Sequence, residues 1–148
     1  MSTIEKSVEV AVPVRTAYNQ WTQFESFPEF MDGVEEVRQI TSKLVHWRTK
    51  MAGVAREFDA EIIEQRPDRR IAWRATDGPD QGGVVTFEPL TEQTTRVALA
   101  MEFQPEGLAE KIADATNMVE RRVQRDLERF KEYIESRGTE TGARRGSV

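Results

Sequence analysis

Few side chains in this sequence have the chemistry of a catalytic or metal-binding group. The chain of 148 residues has one histidine and no cysteine. Thiol catalysis, disulfides and zinc–thiolate sites are therefore excluded. A transition-metal site is not expected, because such sites draw mainly on several His or Cys ligands. We expect neither a metal nor a cofactor.

Arg56 is the best polar candidate for a catalytic role. In the strand predicted around it, Arg56 has the same parity as Phe58 and could therefore point into the interior of the fold. The simpler interpretation is an arginine that extends to the edge of the fold. Thr49 and Asn117 could each offer one hydrogen bond. Histidine is a common catalytic base, but the parity of His46 places it on the face of the strand opposite Arg56, the convex face of the predicted sheet, so we do not assign it as a catalyst.

The segment QWTQFESFPEFMDGVEEV, residues 20–37, concentrates large apolar side chains. Trp21, Phe24, Phe27, Phe30 and Met31 are too many for an ordinary solvent loop, so they either fill a core or line a hollow. Proline is tolerated in the first turn of a helix, and the SFPEFM stretch therefore predicts a short helix that begins near its proline.

Composition indicates one acidic globular domain. The net charge is −5 and the pI is near 5.1, which argues against a nucleic-acid partner. The N-terminus has no signal-peptide pattern, and no apolar run approaches the roughly 20 residues that span a bilayer. We expect a cytoplasmic protein with a single domain over residues 1–137. Residues 138–148 form a polar tail that we expect to be disordered.

Hydrophobic periodicity predicts the order strand, two short helices, six strands and one long helix. The predicted strands cover residues 3–12, 34–41, 43–51, 55–65, 70–76, 83–90 and 94–104. Helices are predicted at VRTAYNQW after Pro13, over residues 24–31 and over residues 108–137, where Gly138 ends the last one. Short polar links predict an antiparallel meander, and Gly82-Gly83 is interpreted as a turn. The fold class is α+β, with a seven-stranded curved sheet wrapped around the C-terminal helix.

Strand parity divides the large side chains between the two faces of this sheet. Trp47, Phe58, Trp73, Phe87 and Met101 share the apolar, concave face. A packed core is the simpler explanation for such a set, since aromatic and methionine side chains usually fill volume.

The motifs AVPVRTAYNQWTQFESFPEFMDGVEEV, AEIIEQRPDRRIAWRA and GGVVTFEPLTEQTTRVALAMEFQP, with the closing amphipathic helix, resemble the START/SRPBCC superfamily and its helix-grip fold. The similarity is greatest to the bacterial polyketide cyclase/dehydrase-like or coenzyme Q-binding-like branch. This resemblance implies a small-molecule cavity between the sheet and the long helix. The residues then expected to bind a ligand are Trp21, Phe24, Phe27, Phe30, Met31, Trp47, Phe58, Trp73, Phe87, Met101, Leu108 and Ile112.

Three functions remain open at this point. The first is a binding module for a lipid, quinone or polyketide-like molecule, which the scarcity of interior ionisable groups favours. The second is an aromatase/cyclase-type enzyme that uses the same cavity, with Arg56 as its polar group. The third is a protein with a filled cavity that acts through its acidic surface on a partner protein. The sequence does not indicate an oligomeric state.

Overall fold

A seven-stranded antiparallel sheet forms the frame of the molecule. The computed structural model describes residues 2–31, 33–51, 54–76, 81–103 and 109–145, without the side chains of residues 2, 51, 54, 81, 103 and 109–118. The strands are β1 (Ser2–Val10), β2 (Val34–Gln39), β3 (Leu44–Met51), β4 (Val54–Arg66), β5 (Arg70–Ala75), β6 (Gln81–Thr91) and β7 (Thr94–Phe103). Their order is β1-β7-β6-β5-β4-β3-β2, so β2 to β7 form a meander and β1 joins its far end.

The predicted architecture is confirmed. Each predicted strand end lies within two residues of the observed one. The sheet curls around the C-terminal helix α2 (Ala109–Arg137), as the helix-grip fold requires. The strand ends could be predicted this closely because a strand with one buried face must place its apolar residues at every second position, so apolar and polar residues alternate along it.

Two short helices connect β1 to β2. Helix α1 (Val14–Trp21) begins directly after Pro13, whose φ of −60° suits a helix start. The second is a 3-10 helix, Phe24–Glu29, and here the prediction about Pro28 is wrong: the proline lies near the end of the helix, not in its first turn. The helix begins at Phe24, as the predicted range 24–31 has it, and Phe24 and Phe27 are both buried.

Helix α2 buries an apolar stripe against the concave face of the sheet. Val123, Leu127, Phe130 and Ile134 are at most 4% exposed, so they belong to the solid core. The helix ends at Gly138, whose φ of 73° is left-handed and favours glycine. Among the described residues, no helix has both the length and the apolar character needed to cross a membrane.

Beyond α2, residues 138–145 lie against α1 and the β4–β5 turn, where they make several hydrogen bonds. This differs from the disordered tail expected from sequence. The physical reason is that buried polar side chains of α1 and β4 offer donors and acceptors, and a polar tail can satisfy them.

Candidate ligand-binding site

The concave face of the sheet is apolar, as strand parity predicted. Its central positions are at most 5% exposed: Val45, Ile62, Ile71, Val85, Phe87, Val97 and Leu99. The core cluster joins these side chains to the buried stripe of α2. The sheet and helix thus share one continuous apolar interior at this end.

The connection between β1 and β2 inserts an apolar wedge into that interior. We use this name for Trp21, Phe24, Phe27, Phe30 and Met31, none of which is more than 9% exposed. The ring centroid of Trp21 lies 4.9 Å from that of Phe130, and Phe30 lies 5.3 Å from the same ring. The wedge therefore packs directly on α2.

A hydrogen bond fastens the wedge to α2 at its outer edge. The Tyr133 hydroxyl donates to Oε2 of Glu29 over 3.0 Å, and the Tyr133 ring lies 5.3 Å from Phe30. Burial raises the pKa of Tyr133, and the nearby Glu29 carboxylate raises it further. The tyrosine therefore stays protonated and can keep donating this hydrogen bond.

Four concave side chains, one each on β3, β4, β5 and β7, are less completely covered than their neighbours. We call Trp47, Phe58, Trp73 and Met101 the wall residues; all four are only half-buried. The rings of Trp47 and Phe58 lie parallel, with 6.1 Å between centroids and 5° between planes. Phe27 of the wedge lies 5.6 Å from Trp47, so the wall continues from the wedge.

Trp73 lies directly over a glycine of the neighbouring strand. It pairs with Gly83, and a Cβ added at position 83 would lie 2.6 Å from Cζ2 of the indole. Only glycine allows the ring to approach the backbone this closely. The prediction that Gly82-Gly83 forms a turn is thus wrong: both residues belong to β6, and glycine is required for this contact.

The indole N–H of Trp47 is a buried polar group on the wall. Nε1 is inaccessible to solvent and has no hydrogen-bond partner among the residues the structure describes. Nearby, Thr49 is 7% exposed and pairs with Arg56 across the β3–β4 ladder. A buried donor without an acceptor costs about 1–3 kcal/mol. The wall therefore contains a donor that an oxygen atom could satisfy.

The other predicted site residues are placed as follows. Arg56 is two positions from Phe58 on β4, on the same parity, and its side chain is exposed. Leu108 lies outside the described residues, as do the side chains of Ile112 and Asn117. Their roles stay predictions.

His46 lies on the convex face, as its parity predicted. Its Nδ1 is 2.7 Å from Oδ1 of Asp59, its Nε2 is 4.0 Å from Glu57, and its side chain is 23% exposed. It is a half-buried histidine of the outer surface, away from the wall residues. Within the described residues, no cluster of His, Cys, Asp or Glu side chains could hold a metal ion.

A β-bulge places one polar residue inside that parity counting missed. The β4–β5 register shifts between Ile62 and Glu64, so Gln65, at 3% exposed, takes the interior position. Glu64 instead contacts the Arg70 guanidinium, 2.7 Å away. An inserted residue reverses the parity of everything after it, and no feature of the sequence marks the insertion.

This arrangement of a curled antiparallel sheet, a C-terminal helix and an inserted helical wedge is a helix-grip, START-like fold. The sequence profile described as "Polyketide cyclase / dehydrase and lipid transport" matches residues 10–132. The chain belongs to this family.

The chain is also similar to a Streptomyces protein in sequence and to solved structures in fold. An uncharacterised 17.2 kDa protein from the melC2-rnhH intergenic region of Streptomyces lincolnensis is 55% identical, over 100% of this chain and 99% of that one. The Zhui aromatase/cyclase of Streptomyces sp. R1128 superposes with a TM-score of 0.80 at 18% identity, covering 97% of this chain and 99% of that one. A START superfamily protein of Mycobacterium smegmatis gives 0.69 at 16% identity, covering 91% and 95%. At these identities the two structures establish the fold alone.

Proposed function

We propose that this protein binds a small hydrophobic or aromatic molecule between the concave face of the sheet and α2. The observation that carries the proposal is the incomplete burial of the wall residues. Trp47, Phe58, Trp73 and Met101 lie on the inner face yet stay half-buried, whereas Leu127, Phe130 and Ile134 of α2 are completely buried.

Burial of a large apolar side chain stabilises a protein by about 1.5–3 kcal/mol. A row of such side chains that the fold leaves partly uncovered therefore suits a surface that a ligand completes. The protein would gain affinity mainly from the apolar area removed from water, less the cost of association.

The wall also indicates the chemistry of the ligand. Its side chains are apolar or aromatic, and among the four wall residues Trp47 carries a buried donor, Nε1, that has no partner in the described part of the chain. A ligand oxygen reaches that donor only when the side chains that cover it move aside. A carbonyl or hydroxyl oxygen on an otherwise apolar framework would then satisfy it. Lipids, quinones and polyketide-like molecules share this character.

Family membership supports the same proposal. The family description includes both cyclases and lipid transport, and a structurally similar protein is described as an aromatase/cyclase. Both activities need a large apolar ligand inside the helix-grip fold. This is the same class of ligand that the apolar and aromatic wall residues suit.

Native mass spectrometry of the protein purified from its own host tests this proposal directly. We expect a mass above that of the bare chain, and denaturation should release a lipid, quinone or aromatic polyketide. A bare-chain mass, together with no binding of such molecules when they are added, would contradict the proposal and favour a filled interior.

A titration with 1-anilinonaphthalene-8-sulfonate, a dye that fluoresces in apolar sites, locates the binding surface. Phe58→Ala removes a wall ring, and we expect dye affinity to fall about fivefold or more. Ile63→Ala is the matched control, because Ile63 lies on the same strand but is 50% exposed outside the wall. Equal effects of the two substitutions would place the dye elsewhere.

A second candidate is an aromatase/cyclase-type enzyme that uses the same space. The family description favours it, since that description names cyclases and dehydrases. Its candidate polar group is Arg56, an exposed cation two residues from Phe58 on the same parity of β4. We expect Arg56→Ala to abolish cyclisation of a poly-β-ketone substrate while ligand retention continues. Arg56→Lys keeps the charge and should retain part of the activity. Unchanged product formation in Arg56→Ala would remove Arg56 from the reaction.

A further inference from the structure

The last described residues of the chain run along the outer face of α1. Gly138 turns the chain out of α2, and we call the residues that follow it, 139–145, the strap. Its two ends reach different elements: Glu140 accepts a hydrogen bond from Nδ2 of Asn19 over 3.1 Å, and Arg145 reaches the β4–β5 turn at Asp68. The strap thus connects α1 to the sheet from outside.

The surface under the strap is made of polar side chains that are almost fully buried. Gln20 and Thr22 are 0% and 2% exposed, and Gln65 of β4 is 3% exposed. Thr141 N donates to Oε1 of Gln20 over 2.8 Å, while Nε2 of Gln20 donates to Oγ1 of Thr141 over 3.1 Å. Arg144 N donates to Oγ1 of Thr22, and Nε2 of Gln65 donates to the Arg144 carbonyl oxygen. This surface therefore binds mainly backbone.

Arg145 adds a specific anchor at the end of the strap. Its guanidinium donates to Oδ1 of Asn19 over 2.6 Å and to Oδ2 of Asp68 over 2.7 Å. It also lies over the ring of Tyr18, 5.5 Å from the centroid. Charge-assisted hydrogen bonds are stronger than neutral ones, so Arg145 is the most important side chain of the strap.

Helix α1 lies between this strap and the aromatic core. Tyr18 touches Arg145 on one side, and on the other its ring lies 5.4 Å from that of Phe87. Trp21, at the end of the same helix, begins the apolar wedge and packs on Phe130. Any outward movement of α1 must therefore break the contacts of the strap as well as those of the wedge.

The contacts of the strap are of a kind that breaks easily. They are polar, several strap residues are exposed, and the side chains of the Arg145–Asp68 ion pair are 27% and 33% exposed. Exposed ion pairs are screened by salt, and segments with few apolar contacts open at low free-energy cost.

We propose that the strap is a releasable latch on α1: docked, it holds α1 and the wedge against the sheet, and released, it lets them move outward. The step from latch to ligand access rests on the proposed function, because it requires a ligand to enter beneath the wedge.

Amide hydrogen exchange of the full-length protein, followed by NMR, tests the latch. The amides of Thr141 and Arg144 should be protected in the unmodified protein. In Arg145→Ala their exchange should accelerate about tenfold or more, and the amide of Thr22 at the end of α1 should accelerate with them. Arg144→Ala is the matched control, since only main-chain atoms of Arg144 bind the surface under the strap and its side chain is exposed. Amide exchange in the Arg144→Ala variant should match that of the unmodified protein.

Each result decides the proposal. Unprotected amides at Thr141 and Arg144 in the unmodified protein, or equal acceleration in the two variants, would overturn the latch. The rate at which 1-anilinonaphthalene-8-sulfonate enters tests ligand access separately, and Arg145→Ala should raise it. Faster exchange with an unchanged entry rate would overturn gating while the latch stands. Absence of dye binding in every variant would instead count against the proposed function.

Discussion

Substitution of Gly83 by alanine tests whether the space in front of Trp73 is hollow. The new Cβ would lie 2.6 Å from Cζ2 of the indole, which is closer than real Cβ atoms come. The ring must therefore move away from β6, toward the inside of the curled sheet. A hollow would accept the ring, whereas a filled core would resist it.

The two cases differ in their free energy of unfolding. Overpacking a filled core costs about 1–3 kcal/mol, which lowers Tm by about 2–12 °C for a chain of this length. Beside a hollow the ring moves at little cost in free energy. Alanine also lowers the entropy of the unfolded chain, which stabilises the folded state by about 0.4–1 kcal/mol. We therefore expect Gly83→Ala to change Tm by less than about 2 °C. Dye affinity should fall about fivefold or more, because the displaced ring occupies the ligand's volume.

Circular dichroism melting and dye titration on the same samples provide the assay. Gly82→Ala serves as the comparison, since its Cβ would lie 2.8 Å from the backbone oxygen of Trp73, which cannot rotate away. That variant should lose stability and keep its dye affinity. A large fall in Tm for Gly83→Ala, with unchanged dye affinity, would refute the hypothesis that the space in front of Trp73 is hollow.

Three further predictions concern packing and pH. Phe130→Ala should cost about 3–5 kcal/mol in urea unfolding, because Phe130 is 0% exposed; a smaller cost would mean that the site collapses around the cavity. Trp73→Ala should cost less than that range, since the ring is half-buried, and a full core-like loss would assign Trp73 to solid packing. Burial raises the pKa of Glu135, but hydrogen bonds from Lys131 and the Ala11 amide outweigh it and leave the pKa below the ordinary 4.5. Its stabilisation is therefore present at neutral pH and lost as pH falls through the lowered pKa. The unfolding free energies of the unmodified protein and Glu135→Gln should converge in acid, and a constant gap would contradict this.

The sheet could be predicted because alternation is a strong and redundant signal. Each strand from β1 to β7 repeats it, and the stripe of α2 ends at Gly138 as expected. Features that depend on one inserted residue could not be predicted. The bulge between Ile62 and Glu64 turns the side chain of Gln65 to the inside, and nothing in the residue types at Ile62 or Glu64 indicates this change of register.

Sequence predicted which side chains face the inside of the sheet, but not how completely each of them is covered. Sequence identified Trp47 and Phe58 on the inner face but could not separate them from the fully buried wedge, since exposure depends on where α2 covers the sheet. The contact between Trp73 and Gly83 was missed because a glycine pair resembles a turn when its cross-strand partner is unknown. The docking of residues 139–145 was missed because it depends on buried amides and hydroxyls of α1, which look like ordinary polar residues in sequence.

The position of β1 affects how this protein is synthesised. β1 is translated before the other strands, yet its partner is β7, with Ser2 opposite Phe103, so it must wait for about a hundred residues before it can pair. The helix that covers the concave face is made after all seven strands. A nascent chain on the ribosome therefore carries an unpaired N-terminal strand and an uncovered apolar sheet through most of its elongation, which is the period when exposed strand edges associate with other chains. Slow translation before residue 109 should consequently lower the yield of folded protein more than slow translation after residue 137.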